Sequence, residues 1–193
     1  FRARVGDLGE RVSVELLEEL PASDGASREI SLLFALCKGE KNDLVCDWAT
    51  ELGCCQIIFW QAERSVVRLR SPDDAESKRA RFTKIAQAAA QQSKQACPPS
   101  VSVAVSLHEA LLLLGKKEGS VRITCSLAES ALPFERLLGS GPSATVIAVG
   151  PEGDFTPAED ALLSASGFTQ GSLGSSTLRS ELAAVTALCL ARR

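Results

Sequence analysis

The residues whose types and spacing bear on chemistry lie in two glycine loops in the last quarter of the chain. The first is Gly150-Pro-Glu-Gly-Asp154, entered from Thr145-Val-Ile-Ala-Val149 and left through Phe155-Thr-Pro-Ala-Glu159. Gly150 and Gly153 let backbone approach a ligand where a Cβ would collide. Glu152 and Asp154 add two carboxylates. A phosphate-cradling loop offers free amides followed by a lysine, and this loop has no base, so phosphate is disfavoured. A ligand with a cationic or hydroxyl-rich part suits it better, such as the sulfonium and ribose of S-adenosylmethionine. A tight surface turn fits the same spacing.

The second loop is Leu173-Gly-Ser-Ser-Thr-Leu-Arg-Ser-Glu181. Gly174 opens a hydroxyl-rich stretch that supplies N-cap oxygens, and Arg179 and Glu181 emerge near the first turn of the helix that follows. An arginine there opposes the helix dipole. A residue placed against local preference points to function, with a surface ion pair as the bland alternative.

Other reactive side chains carry less. His108 sits in the first turn of a helix capped by Ser106 and Glu109, where an imidazole is solvated. The seven cysteines, at 37, 46, 54, 55, 97, 125 and 189, are odd in number. They lie mostly in apolar segments without C-x-x-C spacing or histidine partners, so they read as reduced core residues and no metal site is expected.

The elements that must position the two loops follow from periodicity. Residues 145–149 form a β-branched run typical of a central strand covered on both faces. Thr156, Pro157 and Glu159 make a capping box for the next helix. Upstream, strands are expected at 30–37, 56–60, 101–105 and 121–126. Helices are expected from 43 to a stop at Gly53, over 79–94 and over 108–114.

Residues 170–174 form a short extended piece and 178–190 the last helix. The apolar stripes run through Leu44, Val45, Trp48 and Leu52 in the first helix, and through Leu178, Leu182, Val185 and Cys189 in the last. Alternating strands and helices predict an α/β fold with a mainly parallel sheet. Residues 1–5 and 11–17 alternate about a turn at 6–9 and read as a β-hairpin, and 21–28 is a linker.

The 193 residues are 45% hydrophobic and 23% charged, which suits one full domain plus a fragment of another. A net charge of -3 gives no global basic field, so an RNA partner would have to meet a local patch. No apolar run approaches the roughly 18 residues of a membrane span, and no signal-peptide pattern is present. A cytoplasmic location is expected. The chain starts at Phe1 and contains no methionine, so further residues are expected ahead of it.

Taken together, Gly150-Pro-Glu-Gly-Asp-Phe-Thr156 and Leu173-Gly-(x)3-Leu-Arg-(x)-Glu181 resemble the RsmE-type 16S ribosomal RNA uridine-N3 methyltransferases of the SPOUT superfamily. Lys38-Gly-Glu-Lys-(x)-Asp43, Ala49-Thr-Glu-Leu-Gly53, Glu63-Arg-Ser-Val66 and Lys84-Ile-Ala-Gln-(x)-Ala-(x)-Gln-Gln-Ser93 stand in the family's order and spacing. The resemblance implies a methyltransferase domain over 29–193 whose carboxy-terminal part is a trefoil knot, an exception to the rule against knots. It implies an amino-terminal PUA-like β-barrel of which residues 1–20 are the end. It also implies a homodimer, S-adenosylmethionine as methyl donor, and 16S rRNA or the small ribosomal subunit as partner.

Carried over by motif, Val149, Gly150, Pro151, Glu152, Gly153, Leu173, Gly174, Ser175, Ser176 and Leu178 are the cofactor residues. Arg179 and Glu181 are catalytic, and Arg64 meets RNA. On this reading Arg179 stabilises the uridine anion or binds its phosphate, and Glu181 orients the arginine in preference to accepting the N3 proton, because a carboxylate beside an arginine is a poor base. The chain departs from the family in having Asp154 for a second glycine, Ser175-Ser176 for Pro-Arg, and Ser180 for threonine. A non-catalytic RNA-binding or assembly factor on the same fold is the alternative. A dinucleotide enzyme ranks below both, lacking G-x-G-x-x-G and a phosphate-binding lysine.

Overall fold

A computed structural model describes residues 2–8, 12–18, 29–139 and 144–192. The expected linker at 21–28 lies outside them, and the expected turn at 6–9 is corrected, because residues 6–8 continue the first strand. Strands β1 (Arg2–Leu8) and β2 (Val12–Glu18) pair antiparallel in a sheet of their own, with β1 running further than the pattern indicated.

The remaining strands are β3 (Glu29–Ala35), β4 (Gln56–Trp60), β5 (Ser100–Ala104), β6 (Val121–Cys125), β7 (Leu132–Pro133), β8 (Ala144–Val149) and β9 (Thr169–Ser172). They form one sheet in the order β5-β4-β3-β8-β6-β9-β7, and every pairing is parallel. β8 is buried at every residue, Thr145 included, as a strand covered on both faces requires. β4 and β5 are added on one side of β3 and β6 on the other, which reverses the direction of strand addition, and β8 then inserts between β3 and β6. In open parallel sheets, ligands bind at the carboxyl ends of strands beside such a reversal.

Helices cover both faces. On one side α1 (Lys41–Glu51), α2 (Pro72–Gln92), α4 (Phe134–Leu138) and α6 (Ser180–Ala191) enclose a core containing Phe34, Phe59, Phe82 and Phe134. On the other, α3 (Leu107–Leu114) and α5 (Pro157–Ala165) pack over Trp60, Phe155 and Phe168.

The expected stripes of α1 and α6 are corrected. In α1, Val45, Cys46 and Ala49 face inward while Leu44 and Trp48 are exposed. In α6 the buried residues are Ala183, Ala184, Ala187, Leu188 and Ala191, whereas Leu182 is 50% exposed and Cys189 is exposed. α6 is apolar almost all round, so period alone could not choose a face. The small alanines go inward because they let the helix backbone approach the sheet closely, and the bulkier Leu182 goes out.

All seven cysteines are free, but the expected core placement is corrected: Cys37, Cys46 and Cys54 are buried, Cys125 is half-buried, and Cys55, Cys97 and Cys189 are exposed. Burial pushes Cys37, Cys46, Cys54 and Cys125 up to about 12, so these thiols stay protonated and unreactive at neutral pH. Iodoacetamide labelling of native protein near pH 8 should therefore spare these four and modify Cys55 and Cys97, which are exposed. Peptide mass spectrometry reads the pattern directly.

Candidate functional site

A pocket opens at the carboxyl ends of three strands, β6, β8 and β9. Cys125, Ser126 and Leu127 line it from the first, Val149, Gly150 and Asp154 from the second, and Leu173, Gly174, Ser176 and Leu178 from the third, with Ser180 and Ala183 of α6 closing it. Both glycine loops thus meet at one cavity. Six expected cofactor residues line it: Val149, Gly150, Leu173, Gly174, Ser176 and Leu178. Pro151, Glu152, Gly153 and Ser175 belong to the same loops but not to its lining.

The wall at Cys125 to Leu127 carries no motif. Only the rule that strand ends form sites could have found it in the sequence.

The reason for the first loop's glycines differs from the expected one. A Cβ on Gly150 would come 3.0 Å from the ring of Phe155, and one on Gly153 would come 3.1 Å from Cβ of Arg64. Both open spaces face protein, not ligand. Phe155 is buried and stacks on Trp60, centroids 6.2 Å apart, so Gly150 lets the loop lie flat on an aromatic pair.

Arg64 braces the outside of the loop. Its guanidinium donates to the carbonyls of Gly153 at 3.1 Å and Phe155 at 3.0 Å. Glu159 locks the loop's far end. Its carboxylate accepts from the backbone N–H of Thr156 at 2.8 Å, closing the capping box, and from that of Glu63 at 2.9 Å. That second bond ties the start of α5 to the segment carrying Arg64.

Asp154 stands where the backbone turns left-handed, at φ +62°, a conformation that glycine adopts without strain. Asp tolerates it because its short side chain bonds locally, and here Oδ1 accepts from the N–H of Phe155 at 2.8 Å. Asp154→Gly should relieve the left-handed strain but forfeit that bond, each worth about 1 kcal/mol. Stability by denaturant titration should then change by less than about 0.5 kcal/mol.

At the second loop, Arg179 is the N-cap residue of α6, exposed, with no side-chain cap bond. The expected Arg179–Glu181 pairing is corrected, since no ion pair joins them among the described residues. Glu181 faces Lys41 instead, with Nζ to Oε2 at 3.5 Å, and the same ammonium donates to Glu152 at 2.9 Å. Burial works to raise the Glu152 carboxyl, but the Lys41 ammonium together with the hydrogen bonds that the carboxylate accepts holds it below the usual carboxylate range.

Near the amino end of that ammonium's helix lies Cys37, beside Ser180 and Glu152. The cluster had a trace in the sequence, the Lys38-Gly-Glu-Lys41 block, but nothing in the block named its partners. His108 is exposed, as expected. Among the described residues no group of side chains could hold a metal ion, and no helix is long and apolar enough to cross a membrane.

A methyl donor of the S-adenosylmethionine type can be tested against this lining. Leu127, Val149, Leu173 and Leu178 offer apolar walls to a flat base, while Ser126, Ser176 and Asp154 offer polar groups to a ribose and an amino-acid tail. No lining side chain among the described residues is basic, which suits a cationic sulfonium and not a phosphate. The residues present fit the group.

Comparison with known proteins agrees. The family model of an RNA methyltransferase domain matches residues 25–192. Ribosomal RNA small subunit methyltransferase E of Bacillus subtilis is 36% identical over 83% of this chain, and that of Rickettsia conorii is 34% identical over all of it. The chain spans 64% of the length of the first and 75% of the second.

Among solved structures, the Neisseria gonorrhoeae methyltransferase of the same name, bound to S-adenosyl methionine, superposes with a TM-score of 0.81 at 28% identity, covering 97% of this chain and 75% of that one. A Legionella pneumophila protein in complex with the same cofactor gives 0.80 at 27% identity, covering 98% and 76%. With a parallel sheet, a pocket at its strand ends and relatives of this similarity, the chain belongs to the RNA methyltransferase domain family, in the group whose curated members are ribosomal RNA small subunit methyltransferase E.

Proposed function

We propose that this chain carries the catalytic domain of an S-adenosylmethionine-dependent enzyme that methylates N3 of a uridine in small-subunit ribosomal RNA. The observation that carries the reading is the convergence of both glycine loops on one pocket, with Arg179 and Glu181 at the start of the helix that closes it. When bound, the cofactor supplies an electrophilic methyl on a sulfonium. The protein's part is to hold donor and acceptor in line, which can contribute about 7–11 kcal/mol of the barrier.

Val149, Gly150, Leu173, Gly174, Ser176 and Leu178 fix the donor, with Pro151, Glu152, Gly153 and Ser175 shaping the loops around it. Asp154 and Ser126 join them. Arg179, free of protein partners on its cap bond and facing solvent, stabilises the uridine N3 anion by a charge-assisted bond. Arg64 keeps the loop rigid, and its remaining N–H groups face the RNA side.

Three further features belong to this reading. The carboxy-terminal part is threaded as a trefoil knot, supported by the insertion of β8 between β3 and β6 and the return of α6 to pack beside β3, β8 and α1. Strands β1 and β2 close a PUA-like barrel, supported by their pairing in a separate two-stranded sheet that is marginal alone. The protein is a cytoplasmic homodimer, supported by seven free thiols and by the exposed Leu44, Trp48 and Leu182 on the outer faces of α1 and α6. Dimerisation through that surface would also shield Cys189 from iodoacetamide at concentrations where sedimentation shows two copies.

Incubation of full-length protein with labelled S-adenosylmethionine and small-subunit RNA tests the main claim. Label recovered as N3-methyluridine supports it. Cofactor binding by calorimetry without transfer would move the reading toward another substrate, and absence of cofactor binding toward a non-catalytic assembly factor.

A further inference from the structure

Lys41 is the first residue of α1, yet its ammonium lies between two elements more than a hundred residues away in sequence. It donates to Oε1 of Glu152 on the cofactor loop at 2.9 Å and stands 3.5 Å from Oε2 of Glu181 in the first turn of α6. The side chains of Lys41 and Glu181 are 28% and 14% exposed, so the pair is partly withdrawn from water. Oε2 of Glu181 is buried and makes no hydrogen bond. Lys41 is thus the one cation beside that oxygen among the described ion pairs.

The lysine is itself held in place. Just before α1, the N–H of Cys37 donates to Oδ1 of Asn42 at 2.9 Å, and Nδ2 of Asn42 donates back to the carbonyl of Cys37 at 2.7 Å. Gly39 makes the intervening turn at φ +75°. This closed clasp fixes the residue next to Lys41 against the end of β3. Cys37 in turn sits beside Ser180, and Ser180 lines the pocket. The clasp and the ammonium therefore lie next to the pocket wall.

We propose that Lys41 is a positioning residue for methyl transfer: by bridging Glu152 and Glu181 it couples the cofactor loop to the first turn of α6, where Arg179 meets the substrate. It touches neither donor nor acceptor. Its effect is to set the distance between the wall that holds the methyl donor and the helix start that holds the uridine. Without it, two carboxylates face each other across the joint and push the walls apart. The proposal rests on the methyltransferase reading above.

The test is single-turnover transfer to small-subunit RNA, with cofactor affinity by calorimetry and folding by thermal melt, on Lys41→Ala, Lys41→Arg, Glu181→Gln and the double variant Lys41→Ala with Glu181→Gln. Loss of a charge-assisted joint should slow single turnover by roughly 30-fold, with cofactor Kd within about threefold. Arginine should restore most of the rate, since it keeps the charge. The double variant should lose less than the product of its two single effects, because both changes break one joint.

Wild-type rates in Lys41→Ala, or rate and cofactor affinity lost in parallel, would overturn the proposal. So would strictly multiplicative effects in the double variant. If Lys41→Ala does not fold, Glu152→Gln removes the same joint from its other end and must reproduce the slow turnover. A wild-type protein that transfers no methyl is a different result, and it removes the functional reading itself.

Discussion

Arg179→Ala should lower methyl transfer by about 10²–10³-fold, the usual cost of removing one donor aimed at developing charge, while cofactor affinity stays within about twofold. The structure isolates the side chain's role unusually well. Arg179 caps α6 through its backbone, whose carbonyl accepts from the N–H of Ala183 at 2.8 Å, and its side chain takes no part in the cap. The guanidinium is exposed, so truncation should change stability by no more than about 0.5 kcal/mol. The flanking Leu178 and Ser180 line the pocket while Arg179 does not, which is why donor binding should survive.

The same variant distinguishes two tasks for the arginine. If it grips a phosphate, RNA affinity falls and its dependence on salt weakens by about one counterion. If it stabilises the N3 anion, kcat falls with RNA affinity nearly intact. The second outcome is expected, and Arg179→Lys should recover part of it. Parallel loss of cofactor binding would instead place Arg179 in the donor wall.

What made this site legible beforehand was local chemistry. The capping box at Thr156 and Glu159 could be read because its rule spans four residues, and the strand before it because four of residues 145–149 are β-branched. The same logic was available at Ser71-Pro72-Asp73-Asp74, where Ser71 caps α2 by accepting from the N–H of Asp74, yet that helix was expected to start only at residue 79. The charged first two turns of α2 hid its period. Short α4 and two-residue β7 gave no period at all.

Long-range pairing was the other blind spot. Glu181 lies two residues from Arg179, and proximity in sequence made the arginine its natural partner. The fold instead brings Lys41 to it from 140 positions upstream, because α1 and α6 lie side by side on the same face of the sheet. No spacing rule carries that information. The faces of α1 and α6 failed for a related reason: an apolar residue facing outward is indistinguishable in sequence from one facing the core, and small residues mark the close contact better than large ones do.

Gly150 shows how a correct site can be assigned for an incomplete reason, and it yields the sharpest test of the first loop. Its φ is not left-handed, so no backbone strain opposes a larger residue there, and the obstacle is the Phe155 ring, whose atoms lie 3.0 to 3.3 Å from the position a Cβ would take. Phe155 cannot retreat freely, because it is buried against Trp60. Gly150→Val should therefore lift the loop off the aromatic pair, weakening cofactor binding by about 10²-fold, as a displacement near 1 Å can, and lowering stability by about 1–3 kcal/mol through overpacking.

Adding Phe155→Leu should return much of the lost affinity by making room beneath the valine. A glycine needed only for ligand approach predicts the reverse, a loss that no change at Phe155 can repair. Calorimetry on the two variants decides between them. The loop's glycine then matters to the cofactor through what lies under the backbone, and the pocket's shape is set as much by Trp60 and Phe155 as by the residues that line it.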